Sequence, residues 1–346
     1  MIVVIIAGGA GTRLWPLSTP SFPKHLLKVN GNDESILQAT YSRAKRLTDK
    51  IYVVPEIGHA DEVRNQLSEL DEEHLIVEPA RRGTASCIIA AMATLSDKCS
   101  SDEPIAFIHA DHFIRDNKGF VHSFNLAREA SAKEHKIVLV GVEPTYPATG
   151  FGYIEKDSLV DEDRLVYKVC SFKEKPDFAT AKEYLKSGNY LWNCGYFVGS
   201  LNTFKQKMSN YSPALMQSFE RLRLAGDNFD KVYLSLQNEA IDYALIEKVK
   251  DLLVVPASFD WMDLGSFIDL AKAVDCDEEG NYLNGNVEIE EVSNSYIENL
   301  EDKPLAVVGF DGCVVINTKD GMLVARKDLS QKVGDISKKI IKKSNK

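Results

Sequence analysis

Several features that would assign this 346-residue chain to a special class are absent from it. It has six cysteines, and no two of them stand at the C-x-x-C spacing of zinc or thioredoxin-type sites. Its apolar runs are far shorter than the roughly 20 residues of a membrane helix. Its net charge is −10, so it lacks an overall basic footprint for nucleic acid. We therefore expect reduced thiols, no membrane span and no nucleic-acid partner.

What remains is the composition of an ordinary globular protein. Hydrophobic residues make up 44% of the chain and charged residues 27%, which is enough apolar material for a sizeable core. At about 150 residues per domain, the length predicts two domains, or one domain with an appendage. The apolar residues 1–7 have no preceding basic region and run into Gly8-Gly9, so we interpret them as a buried strand of a cytoplasmic protein rather than a secretion signal.

The first half of the chain alternates short runs rich in Val and Ile with amphipathic segments. The runs are apolar at consecutive positions, which is typical of strands covered on both faces. Such alternation predicts right-handed β-α-β crossovers and a mostly parallel sheet, with ligands beyond the carboxyl ends of the strands. The predicted strands are residues 2–7, 51–54, 75–77, 105–108 and 137–142, and the predicted helices are residues 35–47, 59–70, 84–95 and 120–134.

The pattern changes towards the end of the chain. An acidic stretch, residues 275–279, precedes Gly280. We place a boundary there, between one domain at residues 1–275 and a second at residues 280–346. Short alternating segments separated by turns predict that the second domain is a small all-β appendage. A final helix is predicted over residues 329–341.

The stretch with the most chemical information directly follows the first predicted strand. Residues 7–17 are Ala-Gly-Gly-Ala-Gly-Thr-Arg-Leu-Trp-Pro-Leu, and Pro23-Lys24 lie downstream. Glycines after a buried strand let backbone N–H groups turn towards a phosphate. Leu14 stands where a dinucleotide fingerprint needs its third glycine, and no Gly-Lys-Ser/Thr follows, so neither that motif nor the P-loop is present. Arg13 and Lys24 are cations that can reach a triphosphate held by this loop.

This string resembles the signature loop of the sugar-1-phosphate nucleotidyltransferases. With Trp15 it resembles the loop of the mannose-1-phosphate guanylyltransferases in particular. Six further segments resemble that family in the same order along the chain. They are residues 78–85, 109–112, 150–155, 172–176, 192–197 and 260–266. The resemblance implies an α/β fold, in which a Rossmann-like, mostly parallel sheet is flanked by helices and followed by a small β-helix-like appendage and a final helix. It also implies transfer of GMP from GTP to mannose 1-phosphate, giving GDP-mannose and pyrophosphate.

The resemblance also implies a role for residues in each part of the site. Arg13, Lys24 and Lys175 would be catalytic cations, and Asp111 with Asp263 would hold Mg²⁺, which takes few protein carboxylates and keeps several waters. The attacking sugar phosphate is already an anion, so the reaction needs positioning and charge neutralisation rather than a general base. The sugar phosphate is expected to contact Gly150, Glu174 and Asn193. The nucleotide is expected to contact Ala7, Gly8, Gly9, Gly11, Thr12, Glu78, Pro79, Gly83 and Thr84.

Two of these residues bear on the identity of the base. Guanine presents N1–H and N2–H₂ as adjacent donors, and the Glu78 carboxylate can accept from both, whereas uracil or thymine would place a carbonyl there. Guanylyltransferases of this type usually have Arg-Asn-Thr-Ala where this chain has Arg82-Gly83-Thr84-Ala85. A glycine at this point also resembles the thymidylyl and uridylyl relatives. Thr84 is predicted to cap the following helix.

Other functions stay open on the sequence alone. A related nucleotidyltransferase would use another sugar 1-phosphate, such as a heptose phosphate, or another nucleoside triphosphate. A non-catalytic sugar-nucleotide sensor would be expected to have lost the cations and carboxylates named above, all of which are present. His109 and His112 beside Asp111 would suit a zinc hydrolase, but the seven histidines do not supply further ligands at short spacing. The resemblance also allows a homodimer formed through the β appendage.

Overall fold

The fold is an eight-stranded sheet covered by helices, followed by a smaller β region and a last helix. A computed structural model describes residues 1–9, 11–29, 33–161 and 165–344, so Ala10 of the glycine-rich loop lies outside the described residues. The strands are β1 Ile2–Ala7, β2 Ile51–Pro55, β3 Pro104–His109, β4 Val138–Val142, β5 Gly152–Asp161, β6 Val166–Lys173, β7 Tyr190–Ser200, β8 Leu253–Pro256, β9 Tyr282–Asn284, β10 Val287–Glu290, β11 Tyr296–Asn299, β12 Leu305–Val308, β13 Cys313–Thr318 and β14 Gly321–Arg326. The α-helices are α1 Ile36–Lys45, α2 Ala60–Gln66, α3 Gly83–Leu95, α4 Asn117–Glu134, α5 Phe178–Ser187, α6 Leu201–Tyr211, α7 Pro213–Arg223, α8 Phe229–Leu234, α9 Ile241–Ala244, α10 Phe267–Ala273 and α11 Val333–Ser344.

The large sheet has the strand order β2-β1-β3-β7-β4-β8-β6-β5. β1 is parallel to β2 and β3, and β4 is parallel to β8. β7 is inserted antiparallel between β3 and β4, and β6 is antiparallel to β8 and β5. The predicted α/β fold with a mostly parallel sheet is therefore confirmed, and two strands run against the majority.

Both faces of this sheet are buried, which explains the consecutive apolar positions of β1. Alternate side chains of a strand point to opposite faces. Val4 and Ile6 belong to the apolar cluster that contains the buried residues of α3, whereas Val3 and Ile5 belong to the cluster that contains Phe120 of α4. The two-sided core fixes the carboxyl end of β1, where the glycine-rich loop begins.

The predicted strand at residues 75–77 is wrong as a continuous element. Its backbone follows β2, because the Ile76 N–H donates to the Val53 carbonyl at 2.9 Å and the Glu78 N–H donates to the Pro55 carbonyl at 2.8 Å. Only isolated bridges form, however. Pro55 has no N–H to donate, so the ladder cannot continue along this edge.

The C-terminal β region is built from short parallel strands. β9, β11 and β13 are parallel neighbours, β14 returns antiparallel beside β13, and β10 pairs with β12 in parallel. The predicted β-helix-like appendage with a final helix is confirmed, although α11 starts at Val333 because Lys327–Lys332 form a 3₁₀ helix. The boundary between residues 275 and 280 stays a prediction. No helix among the described residues is long and apolar enough to cross a membrane.

Candidate active site

A cavity of about 1140 Å³ lies beyond the carboxyl ends of β3 and β4. One wall is the loop of residues 145–151 after β4, and His109 at the end of β3 contributes another part. The segments that follow β3 and β4 are both among those that the parallel-sheet pattern predicts to be functional. The cavity brings together six of the predicted site residues, which are Arg13, Gly150, Glu174, Lys175, Asn193 and Asp263.

A buried ammonium joins the two predicted metal ligands. Lys24 Nζ lies 2.9 Å from Asp111 Oδ2 and 3.3 Å from Asp263 Oδ1, and it also donates to the Asp263 carbonyl. Burial works to lower the pKa of Lys24, but the two carboxylates raise the pKa overall. Burial works to raise the pKa of Asp111, but Lys24 and then His112 and His109 lower it overall. Lys24 and Asp111 are therefore stabilised in their charged forms.

The glycine-rich loop runs directly over this charge cluster. Gly11 has a left-handed φ of 57°, and an added Cβ there would lie 2.9 Å from Lys24 Cβ, so a side chain is excluded. Thr12 follows in a short 3₁₀ turn. Arg13 extends from this turn with its side chain 58% exposed, and its Nη2 lies 3.5 Å from Asp263 Oδ2. The loop thus carries an exposed cation to the edge of the carboxylate pair.

The start of the loop packs on the predicted base-reading residue. Ala7 is buried, Gly8 is half-buried and Gly9 is exposed. Glu78 is buried and does not line the cavity. It lies beneath Gly8, because a Cβ added to Gly8 would lie 2.7 Å from Glu78 Oε2. The Tyr233 hydroxyl donates to Glu78 Oε1. Burial raises the pKa of Glu78 to about 7, and the hydrogen bond from Tyr233 works in the opposite direction.

The next residues predicted to contact the nucleotide, Pro79, Gly83 and Thr84, take part in packing. Pro79 is half-buried. Gly83 has a φ of 76°, and an added Cβ would lie 2.7 Å from the backbone carbon of Glu239, so this position cannot hold the usual asparagine without a shift. The predicted cap by Thr84 is wrong: α3 begins at Gly83, and the Thr84 hydroxyl accepts the Ile241 N–H at 2.9 Å, at the first residue of α9. That contact joins the Thr84 hydroxyl to the start of α9.

The cavity also contains the predicted sugar-phosphate residues. Lys175 Nζ lies 3.3 Å from Glu174 Oε1, and Lys175 has an unusual positive φ of 47°. Glu174 Oε2 is buried and has no hydrogen-bond partner among the described residues. Burial is the main cause that raises the pKa of Glu174, and Asp242 adds to it. Gly152 makes room for this carboxylate, because an added Cβ would collide with Glu174 Oε2.

Asn193 is held by two hydrogen bonds in one orientation. Its Nδ2 donates to Asp242 Oδ1 at 2.7 Å, and its Oδ1 accepts the Gly195 N–H at 3.0 Å. Asp242 itself lines the cavity, and sequence reasoning missed it. It lies in the four-residue helix α9, and nothing in the local pattern connects it with Asn193.

Sequence reasoning also missed Lys272 and Gln331, which line the same cavity as Arg13. Gln331 comes from the C-terminal region, and no motif marks it. His109 and His112 belong to no group of three or more metal-ligating side chains within the described residues. His112 instead pairs through Nδ1 with the Tyr196 hydroxyl at 2.9 Å.

Comparison with known proteins gives consistent matches over most of the chain. Residues 2–280 match the family model for nucleotidyl transferases, and residues 287–343 match a mannose-phosphate isomerase/GMP-like β-helix domain. The chain is 33% identical to a mannose-1-phosphate guanylyltransferase of Klebsiella pneumoniae, over 96% of this chain and 72% of the relative. It is 35% identical to mannose-1-phosphate guanylyltransferase RfbM of Salmonella typhimurium, over 96% of this chain and 71% of the relative. A crystal structure from Thermus thermophilus, described as a mannose-1-phosphate geranyltransferase, is 28% identical, covers 98% of both chains and has a TM-score of 0.87.

Proposed function

Because the chain belongs to the nucleotidyl transferase family, we propose that it transfers GMP from GTP to mannose 1-phosphate, giving GDP-mannose and pyrophosphate. One observation carries the proposal. Arg13, which follows the glycine-rich loop, and Asp263 share a single cavity with Lys175 and Glu174. The site thus offers two separate cations to two phosphate-bearing substrates.

The carboxylates at this site fit Mg²⁺. Asp111 and Asp263 already converge on one positive charge, the Lys24 ammonium, at 2.9 and 3.3 Å. Two carboxylates leave the remaining positions of an octahedral shell for phosphate oxygens and water, which is the arrangement that Mg²⁺ prefers. When bound by Asp111 and Asp263, Mg²⁺ would supply positive charge to the phosphate oxygens.

The residues of the chain act by positioning and by neutralising charge. A phosphate oxygen of mannose 1-phosphate attacks the α-phosphorus of GTP, and the bond from that phosphorus to the oxygen bridging to the β-phosphate breaks as pyrophosphate leaves. Arg13 and Lys24 hold the triphosphate and the departing pyrophosphate, and Lys175 holds the sugar phosphate. No side chain has to remove a proton, because the attacking oxygen is already anionic.

The base and sugar assignments rest on separate residues. The Glu78 carboxylate lies buried beneath Gly8 and off the cavity wall. Once uncovered, it would accept the adjacent donors of guanine, which would favour GTP over pyrimidine nucleotides. Ala7, Gly9, Gly11 and Thr12 contribute backbone to the nucleotide side. Gly150, Glu174 and Asn193 form the sugar side. A cytoplasmic location belongs to the same proposal, because GTP is supplied there.

A homodimer formed through the β appendage is also proposed. Val308, Phe310, Met322 and Val324 are exposed apolar residues of this region. Light scattering on the purified protein should return the mass of two chains, and a monomer at micromolar concentration would contradict this part of the proposal.

The nucleotide preference is tested by measuring pyrophosphate release. The protein is incubated with Mg²⁺, mannose 1-phosphate and, in separate reactions, GTP, ATP, UTP, CTP or dTTP. A clear preference for GTP supports the proposal. A preference for another nucleotide contradicts the role of Glu78 while keeping the transferase chemistry. Absence of pyrophosphate in all five reactions, followed by turnover with another sugar 1-phosphate, would contradict the sugar assignment.

A further inference from the structure

The last helix of the chain lies directly on the turn that carries Arg13. Ser337 of α11 is fully buried, and its Oγ donates to the Thr12 carbonyl at 2.9 Å. The same hydroxyl lies 3.0 Å from the Gly334 carbonyl one turn earlier. The Thr12 carbonyl belongs to the peptide that links Thr12 to Arg13. A residue 325 positions further along the chain therefore fixes the orientation of this peptide.

The Arg13 side chain passes between two glycines from different parts of the chain. An added Cβ on Gly334 of α11 would lie 3.1 Å from Arg13 Cγ. An added Cβ on Gly265, two residues after Asp263, would lie 3.1 Å from Arg13 Nη1. The stem of the side chain thus contacts the C-terminal helix, and its guanidinium contacts the turn of a predicted metal ligand.

The same C-terminal segment reaches the cavity itself. Gln331, just before α11, lines the same cavity as Arg13. Val333 belongs to the apolar cluster that also contains Leu14 and Trp15, the two residues after Arg13. The helix α11 is therefore anchored on both sides of Arg13, at Thr12 and at Leu14 with Trp15.

We propose that α11 is a positioning element of the active site, in which Gly334 and Ser337 set the path of Arg13 towards the triphosphate. This inference rests on the proposed function, because it takes Arg13 as a ligand of the phosphates. Gly334 and Ser337 act through Arg13 and touch no substrate. The position of one cation over the α-phosphate then depends on the C-terminal region, and not only on the glycine-rich loop.

The test uses the full-length variants Gly334→Ala and Ser337→Ala, each made in the wild type and in an Arg13→Ala background. Ser330→Ala is the matched control, because Ser330 is buried in the same region and its Oγ has no hydrogen-bond partner among the described residues. Steady-state kinetics with GTP, mannose 1-phosphate and Mg²⁺ are measured beside thermal unfolding. Alanine favours a helix over glycine, so loss of activity in Gly334→Ala is not explained by a weaker helix.

The expected result is a fall in kcat/KM for GTP of between about tenfold and a hundredfold in both variants. The KM for mannose 1-phosphate should match that of Ser330→Ala, and thermal unfolding should show that every variant is folded at the assay temperature. Neither substitution should cause a further loss once Arg13 is alanine, because the path of an absent side chain cannot matter. Full additivity in the Arg13→Ala background, or kinetics equal to those of Ser330→Ala, would overturn the inference.

Failure of the proposed function is distinguished by a binding measurement. If the wild type releases no pyrophosphate with any nucleotide, calorimetric titration with pyrophosphate and Mg²⁺ replaces the kinetics. Weaker binding in both Arg13→Ala and Gly334→Ala, with no additional weakening in the double variant, supports the positioning role even though the proposed reaction has failed. Binding that is the same in all three variants and the wild type overturns it.

Discussion

The Lys24 ammonium holds together two carboxylates that are far apart in sequence. Asp111 follows β3, and Asp263 lies 239 residues from Lys24. An ion pair with one buried member depends strongly on its partners, because an uncompensated buried charge is costly. The same charged groups therefore stabilise the local fold and take part in the proposed binding of Mg²⁺.

Asp111→Asn is predicted to reduce turnover strongly while leaving the chain folded. The amide keeps the shape of the side chain but removes one of the two negative charges that attract Mg²⁺. We expect a loss of at least about a hundredfold in kcat, the scale seen when one charge-stabilising group is removed. Asp157→Asn, on an exposed part of β5, is the matched control. Unchanged turnover in Asp111→Asn would remove this residue from the metal site.

The Tyr233–Glu78 pair predicts a pH dependence of GTP binding. Burial is the main cause that raises the pKa of Glu78 to about 7; Glu56 adds to the rise, whereas Tyr233, Cys87 and Arg81 work to lower it. Guanine needs the ionised carboxylate, so the KM for GTP should fall as the pH rises through about 7. In Tyr233→Phe the pKa should rise further, because a hydrogen bond that stabilises the charged form is lost.

The pH profile of the KM for GTP checks this prediction. The midpoint should move to higher pH in Tyr233→Phe and stay in place in Tyr211→Phe, a half-buried tyrosine on α6. The same midpoint in all three proteins would show that Glu78 does not read the base.

Among the elements, the junction of α3 and α9 explains a departure from the family pattern. The Ala85 N–H donates to the Glu239 carbonyl at 3.2 Å, and the Thr84 hydroxyl accepts from Ile241 at 2.9 Å. The segment before α9 therefore covers the start of α3. Gly83 leaves the space that this segment occupies.

Gly83→Ala is predicted to destabilise the protein through two effects. A left-handed backbone costs a non-glycine residue roughly 1–2 kcal/mol, and the new Cβ would also collide with the backbone of Glu239. Gly188→Ala isolates the first effect, because Gly188 has a φ of 71° and open space around it. Chemical denaturation should give a larger loss of unfolding free energy for Gly83→Ala. Equal losses in the two variants would contradict the crowding at Glu239.

Strands with continuous apolar runs could be predicted from the sequence, whereas the direction of each strand in the sheet could not. Continuous apolar runs identified β1, β3 and β4, because a strand covered on both faces needs apolar side chains at every position. The reversal of β7 between β3 and β4 leaves no trace in local periodicity. Motifs in the sequence predicted Lys24 and Asp111, which the fold brings within 2.9 Å of each other, whereas Asp242 and Gln331 reach the cavity only through tertiary packing.

At the scale of the whole molecule, the C-terminal region completes the core beneath the glycine-rich loop. Leu14, Trp15 and Leu17 share one apolar cluster with Tyr296 and Val314 of the β appendage. Trp15 also packs so closely on Gly321 that an added Cβ would lie 2.6 Å from its ring. The large sheet and the appendage are thus energetically coupled through the loop that carries Arg13.

Removal of residues 281–346 is predicted to give an inactive protein that aggregates. Deletion exposes Trp15 and its apolar neighbours to water, and exposed apolar surface of this kind promotes association. Soluble yield and light scattering measure the outcome against the full chain. A soluble fragment with full transferase activity would contradict both this coupling and the role of α11.

In the proposed reaction, an oxygen of mannose 1-phosphate attacks the α-phosphorus of GTP. It is tested most directly with mannose 1-phosphate whose phosphoryl oxygens carry a heavy oxygen isotope, followed by mass spectrometry of both products. Attack by this oxygen leaves all of the label in GDP-mannose and none in pyrophosphate. Label in pyrophosphate, or no labelled GDP-mannose from GTP, would contradict it.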